Sequence, residues 1–294
     1  MEGQVGKIRQ FNRTVTRRLG VLSQKYLGRD RPLVESRLLF EIGTKGAPVR
    51  DLRERIGLDS GYISRLLRAL ERKGLAATNR QPGQDGRAKF ARLTRSGKAE
   101  LRRINALSDD LAQSMLTPLT GGQAARLVSA MSEVDGLLRA SAIELTAVAP
   151  QDAGAQWCLG RYFDELGSRF PGGYDRGVDS ATDLDDFSPP KGCFFVAGLF
   201  GEPVGCGGIR TFAPRIGEIK RLWVSPEVRG LGVGRRILEA LERAARQRKM
   251  GRIRLDTHES LTEAQNLYRN TGYREIVRFN DNPYAHHWFE KSFD

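Results

Sequence analysis

Between an apolar run, Ile219 to Val224, and a stretch where Ile237, Leu238, Leu241 and Ala245 recur at helical spacing lies Ser225-Pro226-Glu227-Val228-Arg229-Gly230-Leu231-Gly232-Val233-Gly234-Arg235-Arg236. The order predicts a strand, a glycine loop and a helix. Glycines at alternate positions let backbone N–H groups approach a ligand that a Cβ would block, and a helix start adds partial positive charge. Such a turn suits a phosphate or pyrophosphate, and Arg229, Arg235 and Arg236 add cations at the same end. The loop lacks the Gly-Lys-Ser/Thr close of a P-loop, and its G-x-G-x-G spacing is not the dinucleotide G-x-G-x-x-G.

The elements that position this loop belong to a chain of 294 residues, long enough for two domains. Residues 1–147 carry 27 Lys and Arg against 15 Asp and Glu, whereas residues 148–294 carry 21 against 20. The positive charge therefore sits in the first half, which favours a polyanionic partner there. Cys158, Cys193 and Cys206 have no C-x-x-C spacing, so neither a disulfide framework nor a metal site is expected. With no signal peptide and no membrane-length apolar run, a soluble cytoplasmic protein is expected.

In the first half, Ile8, Phe11, Val15, Leu19 and Leu22 mark one amphipathic helix, and further helices are predicted from Ser96 to about Met115 and from Gly122 to about Leu145. The apolar faces of these terminal helices suggest packing against a second copy or within one chain. Between them, Val49, Leu52 and Ile56 make a short helix ending at Gly57, and Ser60 to Lys73 makes a second with Ile63, Leu66, Leu67 and Leu70 inward. Asp59 or Ser60 caps its start, and Gly74 closes it. The pattern is a helix-turn-helix whose outward face, Ser60, Tyr62, Ser64, Arg65, Arg68 and Arg72, can reach phosphates and base edges in a major groove. Strands at 75–78 and 89–94 would form a hairpin wing, with Arg80 and Arg87 near its tip.

The chain breaks at Ala147-Val148-Ala149-Pro150, which sets the expected boundary between domains 1–147 and 148–294. A helix is predicted over 153–169 and a long loop over 171–190. A hairpin at 193–200 and 204–210, a strand at 252–257, a helix at 262–270 and closing strands at 273–279 and 287–293 complete a mixed α/β sheet.

Two resemblances emerge from these residues. Arg229, Gly232 and Gly234 match the Arg/Gln-x-x-Gly-x-Gly/Ala pyrophosphate loop of the GNAT superfamily of N-acetyltransferases, and Ala264-Gln265-Asn266-Leu267-Tyr268-Arg269-Asn270-Thr271-Gly272-Tyr273 looks like its A-x-x-L-Y-x-x-x-G-F/Y segment. In the first half, Asp59 to Arg65, Leu70 to Leu75, Asp85-Gly86-Arg87 and Leu93-Thr94 resemble the MarR-type winged helix over roughly residues 5–145. Together they imply an α+β fold of two domains. The first is a mostly helical winged helix-turn-helix with dimerisation helices, and the second is a GNAT sheet.

The MarR-type resemblance implies a homodimer on a roughly palindromic operator in double-stranded DNA, with Asp85 holding Arg87 in the wing. The GNAT resemblance implies acetyl-CoA as cosubstrate, no metal, and a pantetheine arm bonded through main-chain groups of Leu222, Trp223 and Val224. There the Val224 N–H would polarise the thioester carbonyl. Residues Arg229, Gly230, Leu231, Gly232, Val233, Gly234 and Arg235 would hold the pyrophosphate, and Tyr268 would protonate the leaving thiolate. Glu218 is the candidate base, with His258, His286 and His287 as alternatives by residue type only. Lys220 and Arg221 would depress the Glu218 pKa or bind an acceptor carboxylate. Where relatives carry a pantetheine-binding Asn this chain has Leu261, so the coenzyme is held less tightly or Asn266 reaches it from another angle.

No cysteine sits in a nucleophile context, which favours direct attack by the amine of a small acceptor. The function expected is a DNA-binding regulator fused to an N-acetyltransferase. The alternatives are a regulator whose second half senses acetyl-CoA without turnover, and a protein-lysine acetyltransferase.

Overall fold

The computed structural model describes residues 2–80, 89–175 and 184–293, and the chain divides into two compact units, Met1–Ala130 and Met131–Asp294. The division falls ahead of the 147/148 boundary expected from the break before Pro150.

In the first unit, α1 (Glu2–Leu19) buries none of its residues, and Val5, Ile8 and Phe11 along its apolar stripe are exposed. Helix α2 (Leu33–Ile42) has no counterpart among the predicted elements; Leu38, Leu39 and Ile42 on one face are buried. Helix α3 (Val49–Ile56) ends where Gly57 turns left-handed at φ 70°. Asp59, rather than Ser60, then caps α4 (Ser60–Arg72), accepting from the Tyr62 N–H at 2.8 Å. As expected, Ile63, Leu66, Leu67 and Leu70 are the buried residues of α4, packed with Leu38, Leu39 and Leu52.

Strands β1 (Ala47–Pro48), β2 (Ala76–Arg80) and β3 (Lys89–Leu93) form a small antiparallel sheet in the order β1-β3-β2. The β2–β3 hairpin is the expected wing. Helix α5 (Arg95–Leu116) starts at Thr94, whose hydroxyl accepts from the Gly97 N–H. Helix α6 (Gly121–Ser141) contains the division between units.

In the second unit a seven-stranded sheet runs in the order β4-β5-β6-β7-β8-β10-β9. Its strands are β4 (Ile143–Val148), β5 (Gly192–Leu199), β6 (Glu202–Ala213), β7 (Ile216–Val224), β8 (Arg252–Thr257), β9 (Arg274–Ile276) and β10 (His287–Ser292). The β7–β8 pair is parallel and the others are antiparallel. The helix predicted to about Leu145 stops at Ser141, because residues 143–148 pair with β5 from Ile143–Leu199 to Val148–Phe194. A free sheet edge there outweighs helical periodicity.

Helix α7 (Ala153–Arg169) and a short 3-10 turn (Leu184–Phe187) cover one face of the sheet, burying Cys158, Leu159, Phe187 and Phe194. Helix α8 (Val233–Gln247) covers the other with Ile237, Leu238 and Leu241 against Ile209, Ile219 and Ile253. Phe187, inside the predicted long loop, is wholly buried, and Gly208 makes room for it, since a Cβ there would lie 2.5 Å from its ring. Helix α9 (Thr262–Asn270) follows β8. Among the described residues no helix is long and apolar enough to cross a membrane.

Close approach also fixes the start of α5. A Cβ on Gly97 would lie 1.8 Å from the Leu75 carbonyl oxygen. Gly97→Ala is expected to destabilise the first unit by about 1–3 kcal/mol, as overpacking does. Denaturant unfolding followed by circular dichroism checks this, and an unchanged midpoint would refute it.

Candidate active site

The parallel pair β7–β8 holds together for only three residues, from Ile216–Arg252 to Glu218–Arg254. Beyond that point β7 bends. Trp223 faces Cys206 and Lys220 faces Gly208, so two residues, Arg221 and Leu222, stand against Gly207 alone. Arg221 takes up the bulge at φ 59°, unusual for a residue with a Cβ, and is buried with its guanidinium 5.2 Å from the Phe187 ring centroid. A cleft opens between the parted strands, lined on β7 by Ile219 to Leu222, at the end of β8 by Asp256 and Thr257, just after it by His258, and on α9 by Ala264 and Tyr268.

An ion pair spans the parting. Lys220 Nζ donates to both oxygens of Asp256, at 2.9 and 3.0 Å, and Asn280 and Asn282 each donate to Asp256 Oδ2 at 2.9 Å. Burial pushes the Asp256 carboxyl up, but Lys220 and the two amides outweigh it and hold the group below the usual aspartate range. Lys220 is thus committed to carboxylates, which removes it from the expected role of binding an acceptor carboxylate.

Glu218, the candidate base, is 1% exposed and does not line the cleft. Arg210 grips its Oε2 at 2.7–2.8 Å, while Lys220 and Asn280 reach its Oε1. Contrary to the role of base expected of it, a carboxylate so engaged does not stand free to take a proton from an amine.

Among the histidines only His258 lines the cleft. Its Nδ1 accepts from the Ser260 N–H at 3.0 Å, so the proton of the neutral ring resides on Nε2. Burial and the nearby His286 hold its pKa below the ordinary value, which keeps the ring neutral. His287 is bonded to Glu275 away from the cleft.

Tyr268 is buried with its ring at the cleft. Burial, reinforced by the Asp256 charge, raises its phenol pKa far above the tyrosine norm, so it carries its proton at every working pH. At the far end of β7, Ser225 N–H donates to the Val204 carbonyl at 2.8 Å and Val224 lies opposite Gly205. Neighbouring pairs of an antiparallel ladder alternate, so Val224 turns its N–H and C=O away from β6, to the side where β8 has parted. Arg229 Nε reaches that carbonyl at 3.1 Å.

Glu165 of α7, which no sequence motif marks, joins this end together. It accepts from Trp223 Nε1 at 2.9 Å, from Arg229 at 2.6 and 2.7 Å, and from Arg169 at 3.1 Å. Trp223 is buried on the α7 face, which leaves only its main chain for a ligand. Leu222 borders the cleft.

In the glycine loop, Gly230 and Gly232 adopt φ 80° and 76°, and Gly232 caps α8. A Cβ on either would meet nothing within 4 Å, so these glycines are required for their left-handed turn, and the space above them is open. The first-turn amides of α8 lack intrahelical partners and fit a pyrophosphate in that space. Val233 is buried, Leu231 packs against the core, Gly234 abuts Leu267, and Arg235 is exposed. Two arginines fall short of the expected phosphate grip. Arg229 is spent on Glu165, and Arg236 donates to the Ala140 and Ile143 carbonyls at 2.9 and 2.6 Å. Asn266 is exposed on α9, and Leu261 lines the cleft.

Cys158 and Cys206 are buried and Cys193 half-buried, all as free thiols. Burial pushes the Cys206 thiol well up, which suppresses the nucleophilic thiolate.

In the first unit, Ser60, Arg65, Arg68 and Arg72 lie exposed along one face of α4. Tyr62 is half-buried beneath the Arg65 guanidinium, 5.4 Å from its ring centroid, and the Ser64 hydroxyl donates to the Ser60 carbonyl. Arg80 ends β2 opposite Lys89. Asp85 and Arg87 lie outside the described residues.

Comparisons with known proteins follow the same division. Residues 160–273 match the family model described as the acetyltransferase (GNAT) family, and residues 28–88 match the MarR family. An IAA acetyltransferase of Azospirillum brasilense is 34% identical over 118 residues, 40% of this chain and 72% of that protein. An uncharacterised N-acetyltransferase of Schizosaccharomyces pombe is 29% identical over 153 residues, 50% of this chain and 92% of that one. Among solved structures, an acetyltransferase of the GNAT family from Staphylococcus aureus Mu50 is 20% identical with a TM-score of 0.45, over 51% of this chain and 99% of that one.

The Lys220–Asp256 pair yields a test with a definite sign. In the native chain the depressed Asp256 pKa adds stability above the ordinary aspartate value, and this is lost as pH falls through the folded pKa. In Lys220→Met, burial without the cation raises that pKa. The variant is expected to lose about 3–5 kcal/mol near neutral pH and to regain part of it on acidification. Unfolding midpoints across pH check the reversal, and parallel pH profiles for both proteins would contradict it.

Proposed function

We propose a function from the premise that this chain belongs to the GNAT acetyltransferase family and carries a MarR family domain ahead of it. It is a DNA-binding regulator and an acetyl-CoA-dependent N-acetyltransferase that acts on the amine of a small molecule. The observation that carries the enzymatic half is the cleft between β7 and β8, with the protonated Tyr268 at its wall and, beyond it, the Val224 main chain turned to the side that β8 has left.

Acetyl-CoA supplies a thioester. The loop amides around Gly230, Gly232 and Gly234 hold its pyrophosphate, and main-chain groups of Leu222 to Val224 hold the pantetheine arm. The Val224 N–H polarises the thioester carbonyl as the amine nitrogen bonds to its carbon. The C–S bond then breaks, the electron pair stays on sulfur and Tyr268 supplies its proton, while the nitrogen sheds one proton to water as it becomes the amide and water returns one to Tyr268. The amine enters in its neutral fraction, because Glu218 is locked by Arg210 and the His258 Nε2 already bears a proton. The buried, raised Cys206 favours direct attack over an acetyl-cysteine route.

The DNA-binding half uses the exposed arginine face of α4 in a major groove, and the MarR-type resemblance adds the wing residues Arg80, Asp85 and Arg87 as DNA contacts. The exposed apolar residues of α1 and α6, including Ile8, Phe11, Leu137 and Leu138, support a homodimer and hence a roughly palindromic operator.

The locked Glu218 also favours a second reading, a domain that senses acetyl-CoA without turnover. Thiol release from acetyl-CoA over a panel of amines separates the two. Turnover with an acceptor is expected to fall about a hundredfold or more in Tyr268→Phe. Calorimetric binding of acetyl-CoA with no turnover on any amine would establish the sensor. For the other half, Arg65→Ala or Arg68→Ala is expected to weaken operator binding by about 1–3 kcal/mol, and unchanged affinity would reject that face.

A further inference from the structure

Part of the cleft wall is aromatic. Phe170 just past α7, Tyr174 beyond it, His258 after β8 and Tyr284 ahead of β10 all line it. Phe170 and His258 stack with centroids 3.9 Å apart and planes 19° apart. Tyr174 lies 4.8 Å from Tyr284, and Phe170 lies 5.7 Å from each of them. Four rings from three segments thus meet around one space that Tyr268 also borders. The faces and edges that these rings do not turn on one another offer an inserted ring the offset and edge contacts that aromatic pairs prefer.

The charges of the wall argue against a polycation. Among the described lining residues the charged groups are Lys220, Arg221 and Asp256. Asp256, the lone carboxylate there, already accepts from Lys220, Asn280 and Asn282. A polyamine that lost one proton to react would bring its remaining ammonium groups against two cations and a satisfied carboxylate. The ring of an aromatic amine needs no such partner, and the neutral His258 does not repel it.

We infer that the acceptor is a primary amine borne on an aromatic skeleton, its ring seated among Phe170, Tyr174, His258 and Tyr284. The inference rests on the acetyltransferase function proposed above, and its test keeps the two separable. The full chain is assayed for acetyl transfer with matched probes, 2-phenylethylamine against ethylamine and phenylalanine against alanine, with spermidine alongside. Calorimetry of the same probes in the presence of coenzyme A runs in parallel.

In at least one pair the aromatic member is expected to have a kcat/KM about 10-fold or more above its aliphatic partner. Tyr284→Ala should raise the aromatic probe's KM and leave that for acetyl-CoA in place, and Tyr284→Phe, which keeps the ring, should restore it. Equal values in both pairs, or a preference for spermidine, would overturn the inference. Where no probe is acetylated, binding decides. An aromatic probe that binds the native chain and not Tyr284→Ala sustains the aromatic site while catalysis is refuted, and absence of aromatic binding overturns the site itself.

Discussion

Strands β7 and β8 stop bonding after Glu218 and Arg254, and the rest of the second unit is arranged around that interruption. A parallel pair that parts leaves main-chain donors and acceptors without a ladder, a costly arrangement unless a ligand or water takes them. The bulge at Arg221–Leu222 and the left-handed Arg221 bend β7 away, while the Lys220–Asp256 pair ties the strands across the gap where hydrogen bonds no longer do. The same ion pair lies near Tyr268, so the charge that stabilises the opening also helps keep the phenol protonated.

The far end of β7 is held by a carboxylate on the opposite layer. Glu165 bonds Trp223 and Arg229 together, and Arg229 in turn bonds the Val224 carbonyl, which fixes the peptide next to the oxyanion donor. An arginine employed in this way contributes to anion binding mainly through the geometry it imposes. In the proposed function the load of a pyrophosphate then falls on the amides of the loop and of the first turn of α8, whose dipole points the right way. Removing the Glu165 carboxylate would free Arg229 for a phosphate and loosen Val224 at once, two effects of opposite sign on coenzyme affinity and rate.

Local patterns in the sequence carried much of this. The strand, glycine loop and helix at 219–245, the capped α4 with its four inward residues and α7 over 153–169 emerge from periodicity and turn residues alone. What periodicity missed depends on distant partners. Helix α2 is short and its buried face mixes Glu35 and Ser36 with Leu38, Leu39 and Ile42 while Phe40 is exposed, so no clean apolar stripe marks it. Residues 143–145 continue a helical pattern but become a strand because the edge of β5 is there to pair. In the site, Tyr268 was legible from its motif, whereas the engagement of Glu218 by Arg210 and of Arg236 by two carbonyls was not, since each needs residues remote in sequence. Asp256 and Glu165 carry no motif at all; a lone acid after two arginines at alternate positions of one strand was the available signal for the first.

In the proposed function the two halves use one physical device, a helix start or face that presents fixed charge to a phosphate, in two settings. On α4 it is a row of arginine side chains exposed to solvent, and on α8 it is backbone amides behind left-handed glycines. On the second, the proposed function seats the thioester arm at the end of β7 that has parted from β8. Amide hydrogen exchange of the segment spanning Leu222 to Val224, with and without acetyl-CoA, reads those N–H groups directly. Protection of that segment on addition of coenzyme is the expected result, together with slower exchange at the start of α8; unchanged exchange at Leu222–Val224 under saturating coenzyme would contradict the account.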